Sequence, residues 1–278
     1  MNSFAYYNGK FDRRENISIP LSDRALFFGD AVYDVAMGCY DRILWEDEHL
    51  NRLLDNAKAI GIKTPYSIKS LSELIHEVVI KSMIETYAVY IQLSRGKAER
   101  YHTADNCNVN LLITVDEITP NLLSPPMSLM THADKRYGYC NVKTINLLPA
   151  VLASTKADLM GYDEAVFVKD GIITECTKSN ISILKCGRLI THPKSTNILP
   201  GITREHLVAS CNKLSISVLE RPFTTDEMFA ADEIIVTSST KLCRRVNIID
   251  GKFVGGKAIA LFDKIRNELN QDFLTLSK

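Results

Sequence analysis

The densest cluster of prolines lies near the middle of the chain and limits how the chain can fold. Three of the nine prolines fall within residues 120–126. Proline interrupts helices and is excluded from central strands, so neither kind of element is expected to run through this segment. A length of 278 residues also favours about two domains. We therefore predict an N-terminal domain at 1–120, a linker at 121–127 and a C-terminal domain at 128–278.

Local patterns on both sides of the prolines predict a mixture of helices and strands. An Asn-Gly turn between aromatic residues predicts a hairpin at 6–11. Apolar residues at helical spacing predict a helix over 45–61. In the second half we predict a strand at 139–145 and a helix that starts at Pro149 and ends near Gly161. Further helices are predicted to start at Thr203 and, from a capping box, at Thr224.

Charge and composition exclude several classes of function. Thirty-three basic residues balance thirty-three acidic ones, which argues against binding to nucleic acids or membranes through bulk charge. No apolar run approaches the ~20 residues of a membrane span, and the N-terminus lacks the features of a signal peptide. The seven cysteines are scattered, with no CxxC or Cys/His cluster that would indicate a metal site. We expect reduced thiols in a cytoplasmic protein.

Lys143 is the first residue that could carry chemistry. It lies in an apolar, strand-like stretch, where desolvation favours a neutral amine. A neutral amine is the nucleophile that forms a Schiff base. The alternative is a lysine that reaches solvent from a strand end.

Three later segments add the other parts of a site for a phosphorylated aldehyde cofactor. Glu175 follows a predicted hairpin, and an acid beside a heterocyclic nitrogen can keep that nitrogen protonated. Residues 201–203 precede a helix, whose N-terminus attracts phosphate, and residues 237–240 carry four consecutive hydroxyls. Each alone has a plainer interpretation as a solvated carboxylate, a helix cap or a polar turn. Their joint order after Lys143 favours the cofactor site.

The sequence resembles the class IV (fold-type IV) pyridoxal-phosphate aminotransferases from about Tyr6 to Gly251, and among them it is most similar to the D-amino-acid transaminases. The segments that carry the resemblance are Asp23-Arg24, Phe28–Tyr33, Glu48–Leu53, Arg95-Gly96, Lys143 with Asn146–Leu148, Thr174-Glu175, Asn180, Thr191–Pro193, Gly201–Arg204, Pro222–Thr225 and Val236–Ser238. The resemblance implies a mixed α/β (α+β) fold of two domains. By this resemblance the smaller N-terminal domain would be α/β, the larger C-terminal domain would be a pseudo-barrel, and the cofactor cleft would lie between them.

The resemblance also implies pyridoxal phosphate as the cofactor and a role for individual residues. Lys143 would form the Schiff base and carry the proton, and Glu175 would pair with the pyridine nitrogen. Further cofactor-binding positions are Arg52, Ser179, Leu199, Ile202, Thr203, Ser238 and Ser239. Tyr33, Arg100 and His102 match the residues that bind the substrate carboxylate. In the family the last two come from a neighbouring subunit, which implies a homodimer.

The reaction implied is amino transfer between a D-amino acid, such as D-alanine, D-glutamate or D-aspartate, and a 2-oxo acid such as 2-oxoglutarate. Aminodeoxychorismate lyase and branched-chain L-amino-acid aminotransferase remain alternatives on the same scaffold, as does a catalytically silent cofactor-binding protein. Four cations depart from the family's usual sequence and, if they face the site, would favour a second acidic group on the substrate. They would otherwise be exposed loop residues: Lys178, Lys241, Arg244 and Arg245.

Overall fold

The computed structural model describes residues 3–104, 107–120 and 122–276. The chain forms two compact units. The first contains Met1–Thr119, Val142–Asn146 and Phe273–Lys278, and the second contains Pro120–Asn141 and Leu147–Asp272. The predicted domain limits at residues 1, 121 and 278 lie outside the described residues.

An antiparallel sheet forms the centre of the first unit. Its strands are β1 (Ser3–Tyr7), β2 (Lys10–Arg13), β3 (Ala31–Cys39), β4 (Arg42–Ile43), β5 (Thr86–Ser94) and β6 (Asn110–Glu117). Over the described residues the strand order is β2-β1-β6-β5-β3-β4, and each neighbouring pair is antiparallel. The helices are α1 (Arg24–Phe28), α2 (Glu46–Ala59) and α3 (Ile68–Ser82), with a short 3-10 helix at Arg14–Asn16.

Two local predictions for this unit are confirmed. The Asn-Gly turn joins β1 to β2, and both turn residues have positive φ, 44° for Asn8 and 95° for Gly9, as this kind of tight hairpin turn requires. The predicted helix at 45–61 is α2, whose apolar face buries Leu50 and Leu53 in the core over the sheet. Burial of two leucines stabilises the packed helix by roughly 1.5–3 kcal/mol each.

A mixed sheet forms the centre of the second unit. Its strands are β7 (Met127–Ala133), β8 (Glu164–Lys169), β9 (Ile172–Cys176), β10 (Asn180–Lys185), β11 (Arg188–Thr191), β12 (Val218–Glu220), β13 (Glu233–Ser238), β14 (Leu242–Ile249) and β15 (Lys252–Phe253). The remaining helices are α4 (Leu148–Leu159), α5 (Ile202–Lys213), α6 (Thr225–Phe229) and α7 (Ile259–Leu276). In the described residues the strand order is β12-β11-β10-β13-β14-β7-β8-β9, with β15 paired to β14.

This second sheet is curled. Strands β9 and β10 occupy the last and the third place in the order, yet only residues 177–179 join them. The turn is closed by a hydrogen bond of 2.8 Å from the backbone N–H of Cys176 to the carbonyl of Ser179. The sheet must therefore bend back on itself, which brings the end of β9, with Glu175, beside the start of β10. The predicted mixed α/β fold class is confirmed.

One predicted element is wrong, and the others in this half are confirmed. The strand predicted at 139–145 does not form, because Tyr139 is left-handed (φ 68°) and a turn follows it. Only Thr144 pairs, through a single bridge to Val32. The helices predicted from 149, 203 and 224 are α4, α5 and α6, and Thr224 with Glu227 forms the capping box. None of the helices in the described ranges combines the length and apolarity of a membrane span.

Candidate active site

Lys143 is held by backbone contacts with strand β3 of the first unit. Its carbonyl accepts a hydrogen bond from the N–H of Tyr33 (3.0 Å), and the N–H of Ile145 donates to the carbonyl of Ala31 (3.2 Å). Val142 packs into the core of the same unit. This short segment therefore fixes the lysine backbone without forming a strand.

The amine of Lys143 lies over an aromatic pair. Nζ is 4.4 Å from the ring centre of Tyr33, which stacks on Tyr90 with 5.3 Å between ring centres. Burial, and then the neighbouring Tyr33, raises the pKa of Tyr90, so its hydroxyl stays protonated and donates to Gln92 Oε1 at 2.6 Å. Among the residues that the structure describes, none forms a hydrogen bond or ion pair with Lys143 Nζ. The amine is therefore available as a nucleophile or a base.

Arg52 of α2 belongs to a cluster around the buried Asp34 of strand β3. Its Nε and Nη2 donate to the two carboxylate oxygens of Asp34, each at 2.7 Å, and His49 Nδ1 bonds Oδ1 at 2.7 Å. His49 and Arg52 are three residues apart and so share one face of α2. Burial alone would raise the pKa of Asp34, but the charge of Arg52 and the hydrogen bonds from both partners hold it well below its usual range. Two nitrogens predicted to serve a phosphate are thus directed to Asp34, and the phosphate role of Arg52 stays a prediction.

Glu175 of the second unit is buried at the end of β9. Its Oε2 accepts hydrogen bonds from Asn180 Nδ2 and from the backbone N–H of Leu199, both at 3.0 Å. Its Oε1 accepts from Arg136 Nη1. The interpretation of this residue as a solvated turn carboxylate is therefore wrong, because burial and three donors define a fixed, ionised acid.

Arg136 is the functional candidate that sequence reasoning missed. Besides Glu175 it binds Asp134 with a two-nitrogen fork, at 2.9 and 2.7 Å, and its guanidinium lies 4.6 Å from the ring centre of Phe167. Burial alone would lower the pKa of Arg136, but hydrogen bonds to Asp134 and the charge of Glu175 raise it. The Asp-x-Arg spacing at 134–136 was the available signal, although nothing in it points to residue 175.

The N-terminus of α5 and the end of β13 supply two hydroxyls without partners. Thr203 Oγ1 and Thr237 Oγ1 are buried, and within the described part of the chain neither has a hydrogen-bond partner. A buried hydroxyl without a partner is costly, so such groups usually meet a ligand or a water. Thr203 stands in the first turn of a helix, where the helix dipole favours an anion. Ile202 is buried beside it, and Ser238 and Ser239 are half-buried at the strand end.

Gly201 leaves room for the side-chain amide of Asn180. A Cβ at this position would lie 1.9 Å from Oδ1 of Asn180, whose Nδ2 bonds both Glu175 and the carbonyl of Leu199.

We expect Gly201→Ala to lower the free energy of unfolding by about 1–3 kcal/mol, since the side chain overpacks the amide. Urea unfolding measures the change. Gly138→Ala, which meets open space, is the control, and equal stability of the two variants would contradict the prediction.

Ser179 contacts a buried acid, and its predicted role in binding the cofactor stays a prediction. Its hydroxyl donates to both oxygens of Glu164, at 3.1 and 2.9 Å. The backbone N–H of Lys178 donates to the same carboxylate at 2.7 Å, and Lys241 Nζ lies 2.9 Å from Oε2. This cluster fixes the turn between β9 and β10, next to Glu175.

The unusual cations of the second unit are engaged within the protein. Besides Lys241, Arg245 forms an ion pair of 3.2 Å with buried Glu233, and Arg244 donates to the carbonyl of Pro125. All three are half-buried, so they are not exposed loop residues, and their role in binding a second acidic group of the substrate stays a prediction. Lys178 alone of the four has an exposed side chain.

Arg100 and His102 lie in an exposed loop of the first unit. The guanidinium of Arg100 is 5.8 and 5.6 Å from the ring centres of Phe27 and Phe28, and the His102 ring is 5.5 Å from that of Phe28. Tyr33, by contrast, lies with Lys143. The three residues predicted to bind the substrate carboxylate thus fall into two groups in this unit.

Comparison with known proteins identifies the family. A family model described as amino-transferase class IV matches residues 31–249. This chain belongs to the class IV aminotransferases. The resemblance inferred from the sequence motifs is confirmed, and the protein is a pyridoxal-phosphate-dependent aminotransferase.

Individual relatives of this aminotransferase cover almost the whole chain. A D-alanine aminotransferase of Bacillus licheniformis is 34% identical over 259 residues, which span 91% of this chain and 90% of that protein. One from Staphylococcus epidermidis is 30% identical over 274 residues, spanning 96% and 95%. The solved structure of a branched-chain aminotransferase from Thermoproteus uzoniensis superposes with a TM-score of 0.91 at 23% identity, covering 99% and 96%. The last likeness shows the fold.

The aminotransferase carries residues that fit its cofactor. The hydroxyls of Thr203 and Thr237 can donate to a phosphate at a positive helix end. The buried, ionised Glu175 suits a protonated pyridine nitrogen. The available amine of Lys143 suits the aldehyde.

Proposed function

We propose that this aminotransferase moves an amino group between a D-amino acid, such as D-alanine, D-glutamate or D-aspartate, and a 2-oxo acid such as 2-oxoglutarate. The observation that carries the proposal is 34% identity with a D-alanine aminotransferase over nine-tenths of both chains. Tyr33, Arg100 and His102, which match the carboxylate-binding residues of D-amino-acid transaminases, support the same choice.

Lys143 is the proton carrier in this proposal. When bound, pyridoxal phosphate supplies an aldehyde for amines and a ring that takes up the electron pair left at the substrate Cα. Lys143 Nζ would take the proton from the substrate Cα as a base and deliver it, as an acid, to the former aldehyde carbon of the cofactor. The ring of Tyr33, 4.4 Å from Nζ, limits where the amine can move.

Glu175 is the group that favours a positive ring nitrogen. Because Arg136, Asn180 and the N–H of Leu199 all donate to its carboxylate, it stays ionised and keeps one orientation. Thr203, Ile202, Ser238 and Ser239 would hold the phosphate, together with Thr237, whose buried hydroxyl has no partner within the described residues.

A half-reaction screen tests the proposal. We expect D-alanine to change the absorption of the cofactor-loaded enzyme, and 2-oxoglutarate to restore it. L-alanine, L-leucine and aminodeoxychorismate are tested in parallel. Turnover of L-leucine in preference to D-alanine would assign a branched-chain aminotransferase, release of pyruvate from aminodeoxychorismate would assign a lyase, and no reaction with any amine would assign a silent protein.

We also propose that the enzyme is a cytoplasmic homodimer. Helix α4 presents large apolar side chains to solvent, with Leu152 62% and Leu159 81% exposed and Leu148 and Val151 beside them. An apolar face of this kind is typical of a protein interface. All seven cysteines are thiols, which suits a reducing compartment.

A charge on this helix is expected to separate the subunits. Leu152→Glu would place a carboxylate in the apolar face, which a dimer could bury only at high cost. We expect sedimentation to report a dimer for the wild type and a monomer for the variant. Ile80→Glu, a change at a 68% exposed position of α3, is the control and should stay dimeric. A dimeric Leu152→Glu variant would contradict this assignment of the interface.

A further inference from the structure

A buried arginine holds the loop that carries Arg100 and His102. Arg24 opens α1, and its side chain is only 4% exposed. Its Nη1 donates to the carbonyl oxygens of Tyr101 at 2.6 Å and Thr103 at 3.4 Å, and its Nη2 donates to that of His102 at 3.4 Å. Three consecutive carbonyls therefore converge on one guanidinium.

The guanidinium is fixed from its other side as well. Its Nε donates to Asp30 Oδ2 at 2.8 Å, and its central carbon lies 4.5 Å from the ring centre of Phe28. Arginine suits this place because its nitrogens are held at fixed angles and can bond a carboxylate and several carbonyls at once. A lysine would keep the charge near Asp30 but would carry all its donors on one atom.

The loop backbone sets the direction of the two exposed side chains. Arg100 and His102 both rest on the aromatic residues of α1, the helix that begins with Arg24. The backbone N–H of Arg24 also donates to the carbonyl of Gly96 at 2.9 Å, so the same residue fixes the start of the loop. Residues 96 and 101–103 thus share one anchor.

We propose that Arg24 is a positioning residue for recognition of the substrate carboxylate. It orders the backbone at 101–103, so that Arg100 and His102 bind the carboxylate without first ordering their loop. This inference rests on the proposed function. Arg24 acts through the loop and makes no contact with the substrate.

Arg24→Lys tests the role in binding. The substitution keeps the positive charge and removes the fork. We expect KM for D-alanine to rise about tenfold while kcat stays within about twofold, because the carboxylate contacts are weakened and proton transfer is not. An unchanged KM in the folded variant would count against the proposal.

Arg95→Lys is a matched control. Arg95 Nε donates to the same Asp30 Oδ2 at 2.8 Å, but its other nitrogens bond the carbonyls of Ile60 and Gly61 at the end of α2. We expect its KM to match that of the wild type. A rise in both variants would assign the effect to Asp30 rather than to the loop and would overturn the proposal.

Limited trypsin digestion gives a readout that needs no activity. We expect cleavage after Arg100 to be about tenfold faster in Arg24→Lys than in the wild type or the control, since proteolysis follows local opening. If Arg24→Lys is recovered unfolded, Arg24→Gln, whose amide keeps two N–H donors for the loop carbonyls, replaces it, with an expected change of about threefold in KM and cleavage. Unchanged cleavage and KM would overturn the proposal. If Arg24→Lys is cleaved faster but the wild type catalyses no transamination, the proposed function is overturned, while the conclusion that Arg24 orders the loop stands.

Discussion

Replacing Lys143 with alanine is expected to lower the rate of transamination by about a thousandfold or more. The variant loses the amine that attacks the cofactor and the group that carries the proton at Cα. The methyl side chain of alanine cannot replace either. Steady-state rates with D-alanine and 2-oxoglutarate measure the loss, with circular dichroism as the check that the variant is folded.

Two controls test whether the loss of activity is due to the amine of Lys143: a substitution of a second lysine, and the addition of a small amine. Lys178→Ala changes an exposed lysine three residues beyond Glu175 and should leave the rate unchanged. A small amine such as methylamine should restore part of the activity of Lys143→Ala, because it can carry the proton in place of Nζ. Full activity of Lys143→Ala without added amine would overturn the role assigned to this lysine.

Removing the carboxylate of Asp34 is expected to cost about 3–5 kcal/mol of the free energy of unfolding, because Arg52 and His49 lose their buried partner. Asp34→Ala is the informative change, and urea unfolding of the purified protein measures it. The residue is fully buried, so water cannot take the place of the lost oxygens without opening the cluster.

The same cluster gives a dependence on pH. Because the pKa of Asp34 is held below its value in the unfolded chain, its contribution is complete above the unfolded pKa of about 4 and is lost as the pH falls through the folded pKa. The wild type should therefore lose stability on acidification more steeply than Asp34→Ala. Lys69→Ala, in an exposed ion pair with Glu73, is the control and should match the wild type. Equal stability of Asp34→Ala and the wild type would contradict the argument.

Much of the local structure follows from the sequence because its causes are local. The hairpin at 6–11 needs only two turn residues that accept positive φ. The start of α6 needs only the reciprocal bonds of Thr224 and Glu227. The strand predicted at 139–145 fails for the opposite reason. Its apolar pattern suits a strand. Among the described residues, however, no neighbouring strand pairs with this segment, and its one contact of this kind is the bridge from Thr144 to Val32.

The residues of the candidate site also differ in whether a local sequence pattern can identify them. Lys143, Glu175 and Thr203 can be picked out because each sits in a local pattern with a chemical meaning. Arg136 is 39 residues from the acid it holds, and Asp34 is 18 residues from Arg52. Such pairings arise from the folding of distant segments, and a single sequence carries no direct signal for them. The contact of Lys241 with Glu164 has the same origin, since the two residues are 77 positions apart in the sequence.

Because Val142–Asn146 belong to the first unit, the gene is not cleanly divided at the proline cluster for recombination. A gene segment that ends at the proline cluster encodes most of that unit but not the five residues that carry Lys143. Recombination there would leave the lysine on the piece of chain that supplies neither Tyr33, which its amine contacts, nor Val32, which bridges the adjacent Thr144. The two halves are therefore not independent cassettes, because an exchange at the prolines also replaces the residues on which the segment of Lys143 packs.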